Sequence, residues 1–343
     1  MGAKQQLRKQ LPVLRRWLEA DEQPWLYSAK IKLLTSCNLD CSFCQWRVTA
    51  KTPRHTLTLS NLQPVLAELK SLGVTRVHFT GGEPLIHPEL LEILTYSREL
   101  GIPELGMTTN ATLITTASAA NLFAAGLRHV NVSLDGEAED FHGKFARATE
   151  GLANLLEARR TFDKADRPAI RVNIVIGSNN LTQIPDFVKN LKRLGVDGLN
   201  LLPIKREKHL FLNPSQIAWF RDNAAPVIRE CFGEKVLSRD PYGDSGALDG
   251  EYTRDYYQAN RCYIPYVHTF FSADGGVHIC CERQTTERPL GNILKSSLYE
   301  ILTNDYYRAE RQRQDAPGCR VCGMFQNLNN AIDELMVEAP VGA

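Results

Sequence analysis

The run Cys37-Asn38-Leu39-Asp40-Cys41-Ser42-Phe43-Cys44 places three thiols within eight residues, directly after a strand-like stretch. The spacing is C-x3-C-x2-C. Three thiolates this close can hold three irons of a cubane cluster and leave the fourth iron without a protein ligand. A structural zinc site needs a fourth ligand to close its tetrahedron. Only His55, unplaced by the sequence, stands near enough to be considered. The segment therefore reads as a candidate catalytic cluster site rather than a staple. The chain has nine cysteines in 343 residues, a length that suits two domains or one large domain with an appendage. A core of that size needs no disulfides.

Compartment and charge point the same way. The N-terminus, Met1-Gly2-Ala3-Lys4-Gln5-Gln6, carries no secretory signal. Gln6 stands where an acylation motif wants Ser or Thr. No run of 18 apolar residues is present, so no membrane partner is expected, and the cytoplasm is the expected location. Thiols there stay reduced, which favours metal or catalysis over disulfides. With 40 basic and 39 acidic residues the formal charge is +1, leaving no strong field for nucleic acid.

Leu7, Leu11, Leu14 and Leu18 share one helical stripe, which predicts an N-terminal helix docked on the body within residues 1–28. Strand-like runs then recur at 29–34, 76–80, 105–109, 129–134, 170–176 and 198–203. Helical runs at 60–72, 88–100, 117–125, 150–161 and 184–194 separate them. Ser60 reads as an N-cap, and Gly73, Gly101, Gly126 and Gly195 sit where helices should end. This alternation predicts an α/β fold, a parallel sheet with right-handed crossovers, over residues 29–205. Six units rather than eight suggest a partial, TIM-like (β/α)6 barrel, with chemistry at the C-terminal strand ends. Four segments fall there: the cysteine loop, Gly81-Gly82-Glu83-Pro84, Thr108-Thr109-Asn110 and Ser133-Leu134-Asp135-Gly136. Residues 206–261 read as a linker or lid, turn-rich at 240–246. Residues 262–343 form a cysteine-bearing unit with a Gly275-Gly276 hairpin signal.

The triple-cysteine spacing with Phe43 before its last member, the Gly-Gly-Glu-Pro run and the Ser-Leu-Asp-Gly run occur in the order found in the radical S-adenosylmethionine (radical SAM) superfamily, which residues 29–205 resemble. The resemblance implies a [4Fe-4S] cluster on Cys37, Cys41 and Cys44, with S-adenosylmethionine chelated by the open iron. It implies cofactor contacts from Phe43, Gly81, Gly82, Glu83, Pro84, Asn110 and Ser133. Gly81 and Gly82 would let backbone approach the methionine moiety, and Glu83 would accept from its ammonium. Arg147 or Lys144 would pair with its carboxylate. The implied activity is reductive cleavage to a 5′-deoxyadenosyl radical that abstracts a hydrogen atom, with a flavodoxin or ferredoxin as electron donor.

Farther on, Cys262, Cys280, Cys281, Cys319 and Cys322 resemble the auxiliary-cluster extension called SPASM, or its shorter Twitch form. The count suits one auxiliary [4Fe-4S] cluster on Cys262, Cys319, Cys322 and either Cys280 or Cys281, with the family's gap favouring Cys280. Neighbouring strand residues face opposite ways, so only one of that pair should point at a cluster. Cys281 would then be a packed thiol or a hydrogen-atom donor to substrate, and Cys231 a helix-face hydrophobe. A zinc ribbon is the competing reading of the C-x2-C pair.

Catalytic residues are not fixed by the sequence. Cys281, Glu207 and Tyr252 are candidates, and Arg206 and Arg254 could also face substrate. Fewer than 40 residues precede Cys37, which favours a small polar metabolite, of sugar, aminocyclitol or nucleoside type, over a peptide held by a leader-binding domain. The single auxiliary cluster resembles the Twitch dehydrogenase of aminoglycoside biosynthesis. The C-terminal cysteine spacing and the Pro340-Val341-Gly342-Ala343 end depart from the molybdenum-cofactor cyclase pattern. A peptide maturase is the alternative, and a non-enzymatic iron–sulfur carrier the third.

Overall fold

The computed structural model describes residues 3–19, 23–47, 53–136, 145–205, 207–237, 257, 260–285, 287–313, 319, 322 and 326–338. Six parallel strands pair in chain order: β1 (Ser28–Lys32), β2 (Arg76–Thr80), β3 (Glu104–Thr109), β4 (Leu127–Ser133), β5 (Ala169–Ile176) and β6 (Gly198–Pro203). Helices α2 (Leu59–Ser71), α3 (Leu90–Glu99), α4 (Thr116–Ala124), α5 (Phe145–Ala158) and α6 (Ile184–Leu194) form the crossovers between them. β6 and β1 do not pair, so the sheet is an open, partial barrel, as the alternation predicts.

Alternation within each strand sets the layers. Val77 and Phe79, Leu105 and Met107, Val130 and Val132, Ile170, Val172 and Ile174, and Leu199 and Leu201 are buried and belong to the core under the helices. Burying each such side chain contributes about 1.5–3 kcal/mol. The intervening residues, His78, Thr108, His129, Asn131, Arg171, Asn173 and Asn200, are polar and line a cavity instead. A typical barrel fills that space with branched apolar layers. This one leaves it polar.

Helix ends follow local chemistry. The cap of α2 lies two residues before the expected Ser60: Thr58 is the cap, its hydroxyl accepting from the Asn61 amide at 3.3 Å while the Asn61 side chain accepts from the Thr58 amide at 3.1 Å. Thr58 and Asn61 form this reciprocal capping box, and Ser60 falls inside the first turn. Gly73, Gly101 and Gly126 each follow a helix at positive φ, and Gly195 caps α6 at φ 89°.

The C-terminal region continues the same sheet. β7 (His268–Phe271) pairs in parallel with β1, Ser28 opposite His268. β8 (Gly276–His278) returns antiparallel, with Gly275 at φ 85° in the turn, and β9 (Gly291–Asn292) closes the edge. Main-chain pairing thus runs unbroken from β6 to β9. Helix α1 (Ala3–Glu19) buries Leu7, Leu11, Leu14 and Trp17, and the Trp17 indole donates to the Tyr266 carbonyl at 3.0 Å. Within 206–261, the helical stretch from Pro214 to Phe232 buries Ile217, Phe220 and Ile228 and carries half-buried Cys231. The turn-rich segment 240–246 lies outside the described residues. No described helix is long and apolar enough to cross a membrane.

Candidate functional site

The chain leaves β1 through a bridge between Leu34 and Thr56 and enters the cysteine loop. Two turns shape that loop, the Cys44 amide bonding the Cys41 carbonyl at 3.2 Å and the Arg47 amide the Cys44 carbonyl at 3.0 Å. Cys37, Cys41 and Cys44 are half-buried, and all three line a cavity of about 490 Å³ that opens at the strand ends. Phe43, Gly81, Gly82, Glu83, Asn110 and Ser133 line it too, so six of the eight expected cofactor contacts share one wall with the thiols. Pro84 and Arg147 do not. Pro84 is buried as the first residue of a 3₁₀ turn, and Arg147 stands exposed on α5. Lys144 lies outside the described residues.

The strand-end motif grips the loop. A Cβ on Gly82 would lie 1.9 Å from the Ser36 carbonyl oxygen and 2.8 Å from the Cys37 nitrogen. Only glycine lets the two backbones come this close. The Gly82 amide bonds the Leu34 carbonyl, and the Glu83 amide the Ser36 carbonyl, each at 2.9 Å. The close approach Gly82 permits is thus first to the cysteine loop itself. Glu83 is buried, and its carboxylate accepts from the Thr109 hydroxyl (2.7 Å), the Asn110 amide (2.8 Å) and the Leu85 amide (3.1 Å). Burial pushes its pKa up, and those donors pull it back. Its three bonds lock the end of β2 to the end of β3, where the sequence suggested an acceptor for a ligand's ammonium. The Asn110 side chain donates to Asn38 at 2.9 Å, and Asn38 donates to Thr112 at 2.9 Å, which ties the loop to β3.

The donor set fits an iron–sulfur cluster. Burial raises the Cys37 pKa and pushes Cys41 to about 12. Thiols this reluctant to ionise become thiolates when a metal supplies positive charge. Among the described residues no three His, Cys, Asp or Glu side chains close on a single-ion site. His55 is exposed, its backbone bonded to Thr35, and it does not join the wall.

The second cysteine set is deeper. Cys280, Cys281 and Cys322 are buried, and Cys262 and Cys319 half-buried. Cys322 and Cys319 both act electrostatically on Cys262, whose pKa burial raises to about 12. Cys322 also acts on Cys280 and Cys281, so the five thiols form one neighbourhood. The Tyr257 hydroxyl lies 3.6 Å from the Cys322 sulfur, and the Asn329 amide 3.9 Å from that of Cys262. Cys281 is fully buried and does not line the cavity. Glu207 sits beside His209 at 3.5 Å, also off the wall. Arg206, Tyr252 and Arg254 lie outside the described residues.

The structure adds wall residues that the motifs did not point to: Lys30, Trp46, His78, Arg171, Lys205 and Glu282 among them. The Lys205 ammonium meets the Glu282 carboxylate at 2.6 Å, both shielded. This pair reaches both regions, because Lys205 lines the cavity and also acts on Cys281 and Cys322. The polar residue at every second strand position is the signal that could have found the strand members of this wall.

Comparison with known proteins follows the same division. Residues 31–191 match the Radical SAM superfamily, and residues 262–323 the SPASM iron–sulfur cluster-binding domain. A PqqA peptide cyclase of Rhodopseudomonas palustris is 27% identical over 74% of this chain and 67% of its own length. The mycofactocin maturase MftC of Mycobacterium ulcerans is 26% identical over 86% of this chain and 80% of its own. GTP 3′,8-cyclases are also among the relatives. Of two further curated relatives at 30% identity, the chain spans 46% of the length. The fold resembles SuiB of Streptococcus suis bound to its precursor peptide SuiA, with a TM-score of 0.66 at 17% identity over 94% of this chain and 76% of that one. The peptide-acting names among these relatives run against the expected sugar, aminocyclitol or nucleoside substrate. That expectation leaned on the short stretch before Cys37, and length ahead of a first strand carries no information on where a peptide is gripped. The matched segments carry the two cysteine sets in order, and the chain belongs to the radical SAM superfamily, with a C-terminal SPASM iron–sulfur cluster-binding domain.

Proposed function

We propose that this protein is a peptide-modifying radical SAM enzyme. The observation that carries the reading is the cavity wall, which runs without a break from Cys37, Cys41 and Cys44 to Lys205 and Glu282 beside the second cysteine set. An extended peptide segment lying there would span from the first cysteine set to the ion pair that acts on the second. The named peptide-acting relatives support the same substrate class.

In this proposal Cys37, Cys41 and Cys44 hold the first [4Fe-4S] cluster, and Asn110, Ser133 and Phe43 form its ligand-facing surroundings. When bound, the cluster and S-adenosylmethionine supply the electron and the hydrogen-abstracting chemistry of the superfamily. Glu83 fixes the strand ends against the cysteine loop, a positioning role. Cys262, Cys319, Cys322 and one of Cys280 and Cys281 hold a single auxiliary cluster, placed to take or return an electron. A low-potential donor such as flavodoxin or ferredoxin reduces the first site.

Isotope transfer tests this reading. Short peptides encoded beside the gene are synthesised with deuterated side chains and incubated with the reduced, iron-loaded protein and S-adenosylmethionine. Deuterium should appear in 5′-deoxyadenosine. Transfer from deuterated GTP, with none from any peptide, overturns it.

A further inference from the structure

Among the described residues, every carboxylate on the cavity wall already has a partner within the protein. Glu83 takes three hydrogen bonds, Asp135 accepts from the Val175 amide at 2.7 Å, and Glu282 is paired with Lys205. The cations are not balanced in the same way. Arg76 is held by Glu104, its Nε at 2.8 Å, and Lys205 by Glu282. Lys30 and Arg171 also line the wall, and among the described residues neither has a carboxylate within ion-pair distance. The Lys30 ammonium lies over the face of Trp46, 5.8 Å from the ring centroid.

The neighbours agree on the sign of the field. His78 lines the wall one strand from Lys30, directly opposite it in register. Burial holds its pKa well down, and the nearby cations Lys30 and Arg76 push it the same way. The Nε2 of His78 meets the Thr108 hydroxyl at 2.7 Å, which leaves the ring anchored beside Lys30 rather than balancing it. The middle of the cavity is therefore a cationic patch on a polar floor. A buried or half-buried charge without a counter-charge is costly unless a ligand brings one.

We infer that this patch recognises a carboxylate of the substrate, and that the peptide segment entering the cavity carries an Asp or Glu side chain seated against Lys30. The inference rests on the peptide reading above. Lys30 is a specificity-determining residue here, its ammonium over the Trp46 ring that the Lys32 ammonium also faces, at 5.1 Å. Carboxylate and amide of equal shape would differ by one charge-assisted hydrogen bond, about tenfold in affinity.

The test is equilibrium binding to the iron-loaded protein saturated with S-adenosylmethionine, so that the cofactor's own carboxylate is already in place. Two pools of synthetic heptapeptides are compared, identical except that the central residue is Glu in one and Gln in the other. The Glu pool should bind about tenfold tighter, with the advantage shrinking as salt rises. Lys30→Met should erase the difference, and Lys30→Arg should restore most of it. Iron content and near-ultraviolet circular dichroism establish that each variant is folded and loaded. Equal binding of both pools to the unaltered protein overturns the carboxylate inference while leaving the peptide reading intact. Failure of both pools to bind, with GTP binding instead, overturns the peptide reading and this inference with it. A Glu preference that survives in Lys30→Met also overturns the role of Lys30.

Discussion

The two cysteine regions hang from one sheet and differ in exposure. Cys37, Cys41 and Cys44 sit half-buried in a loop that lines the open cavity. Cys280, Cys281 and Cys322 are buried and do not line it. A half-buried set beside an open cavity can offer a metal position to a ligand. The second set, half-buried at Cys262 and Cys319 and buried elsewhere, can hold a metal apart from that cavity. Local bonding reflects the same contrast. The first loop is braced by the Glu83 and Asn110 hydrogen bonds to strand ends, which fix geometry for chemistry. The second is packed among Tyr257, Asn329 and the Lys205–Glu282 pair, which adjust the charge felt by its thiols.

The sharpest way to break this contrast is to remove one thiol from each side. Cys41→Ala should lower 5′-deoxyadenosine formation by at least about 100-fold, since losing a ligand costs more than losing a supporting bond. Chromatographic assay of the reduced protein with S-adenosylmethionine checks it, and unchanged product would sink the assignment of the exposed trio.

Cys322→Ala should act differently. About half of the iron should be lost, as expected for one of two cubanes, while cleavage of S-adenosylmethionine continues and modification of substrate falls. Cys281→Ala set against Cys280→Ala then decides the remaining ligand: the ligand variant loses iron and the other retains it. Iron and sulfide analysis reads the outcome, and zinc in place of iron would point to a ribbon instead.

The smallest effect should come from a site remote from both sets. Glu104 opens β3 at the opposite end of the barrel from the cysteine loop. Burial pushes its pKa up, but bonds from His129 and Arg76 outweigh burial and hold it at about 2, against an ordinary 4.5. A depressed carboxyl stabilises the fold above its unfolded pKa and loses that contribution as pH falls from about 4.5 towards 2. Glu104→Gln should therefore cost on the order of 1–2 kcal/mol at neutral pH, discounted because Arg76 is partly exposed. The difference from the unaltered protein should vanish near the bottom of that window. Thermal melting across pH measures it, and an iron content that also fell would show the barrel floor and cysteine loop to be coupled.

Much of this architecture was legible in advance, for identifiable reasons. The strand and helix periods of the six units are local properties, and the glycines after α2, α3 and α4 mark their ends because few other residues adopt positive φ. The cap at Thr58 was missed because both Thr58 and Ser60 offer a hydroxyl with an amide side chain three residues on, Asn61 and Gln63, and only the folded chain shows which pair forms. Pro84 and Arg147 were placed on the wall by their position in a motif or after a strand, which does not say which way a side chain points. The small-metabolite expectation failed because substrate class is not written in the spacing of cysteines.

Sequence alone determined the chemistry on offer: two sets of thiols, their order, and the sheet that presents them, because ligand spacing and strand period are properties of neighbours in the chain. Tertiary structure decided which charges meet. Lys205 and Glu282 are 77 positions apart and become one ion pair, while Lys30 comes to face the cavity with no carboxylate among the described residues within ion-pair distance. Such pairings depend on the register between distant strands, and register is set by packing over the whole sheet.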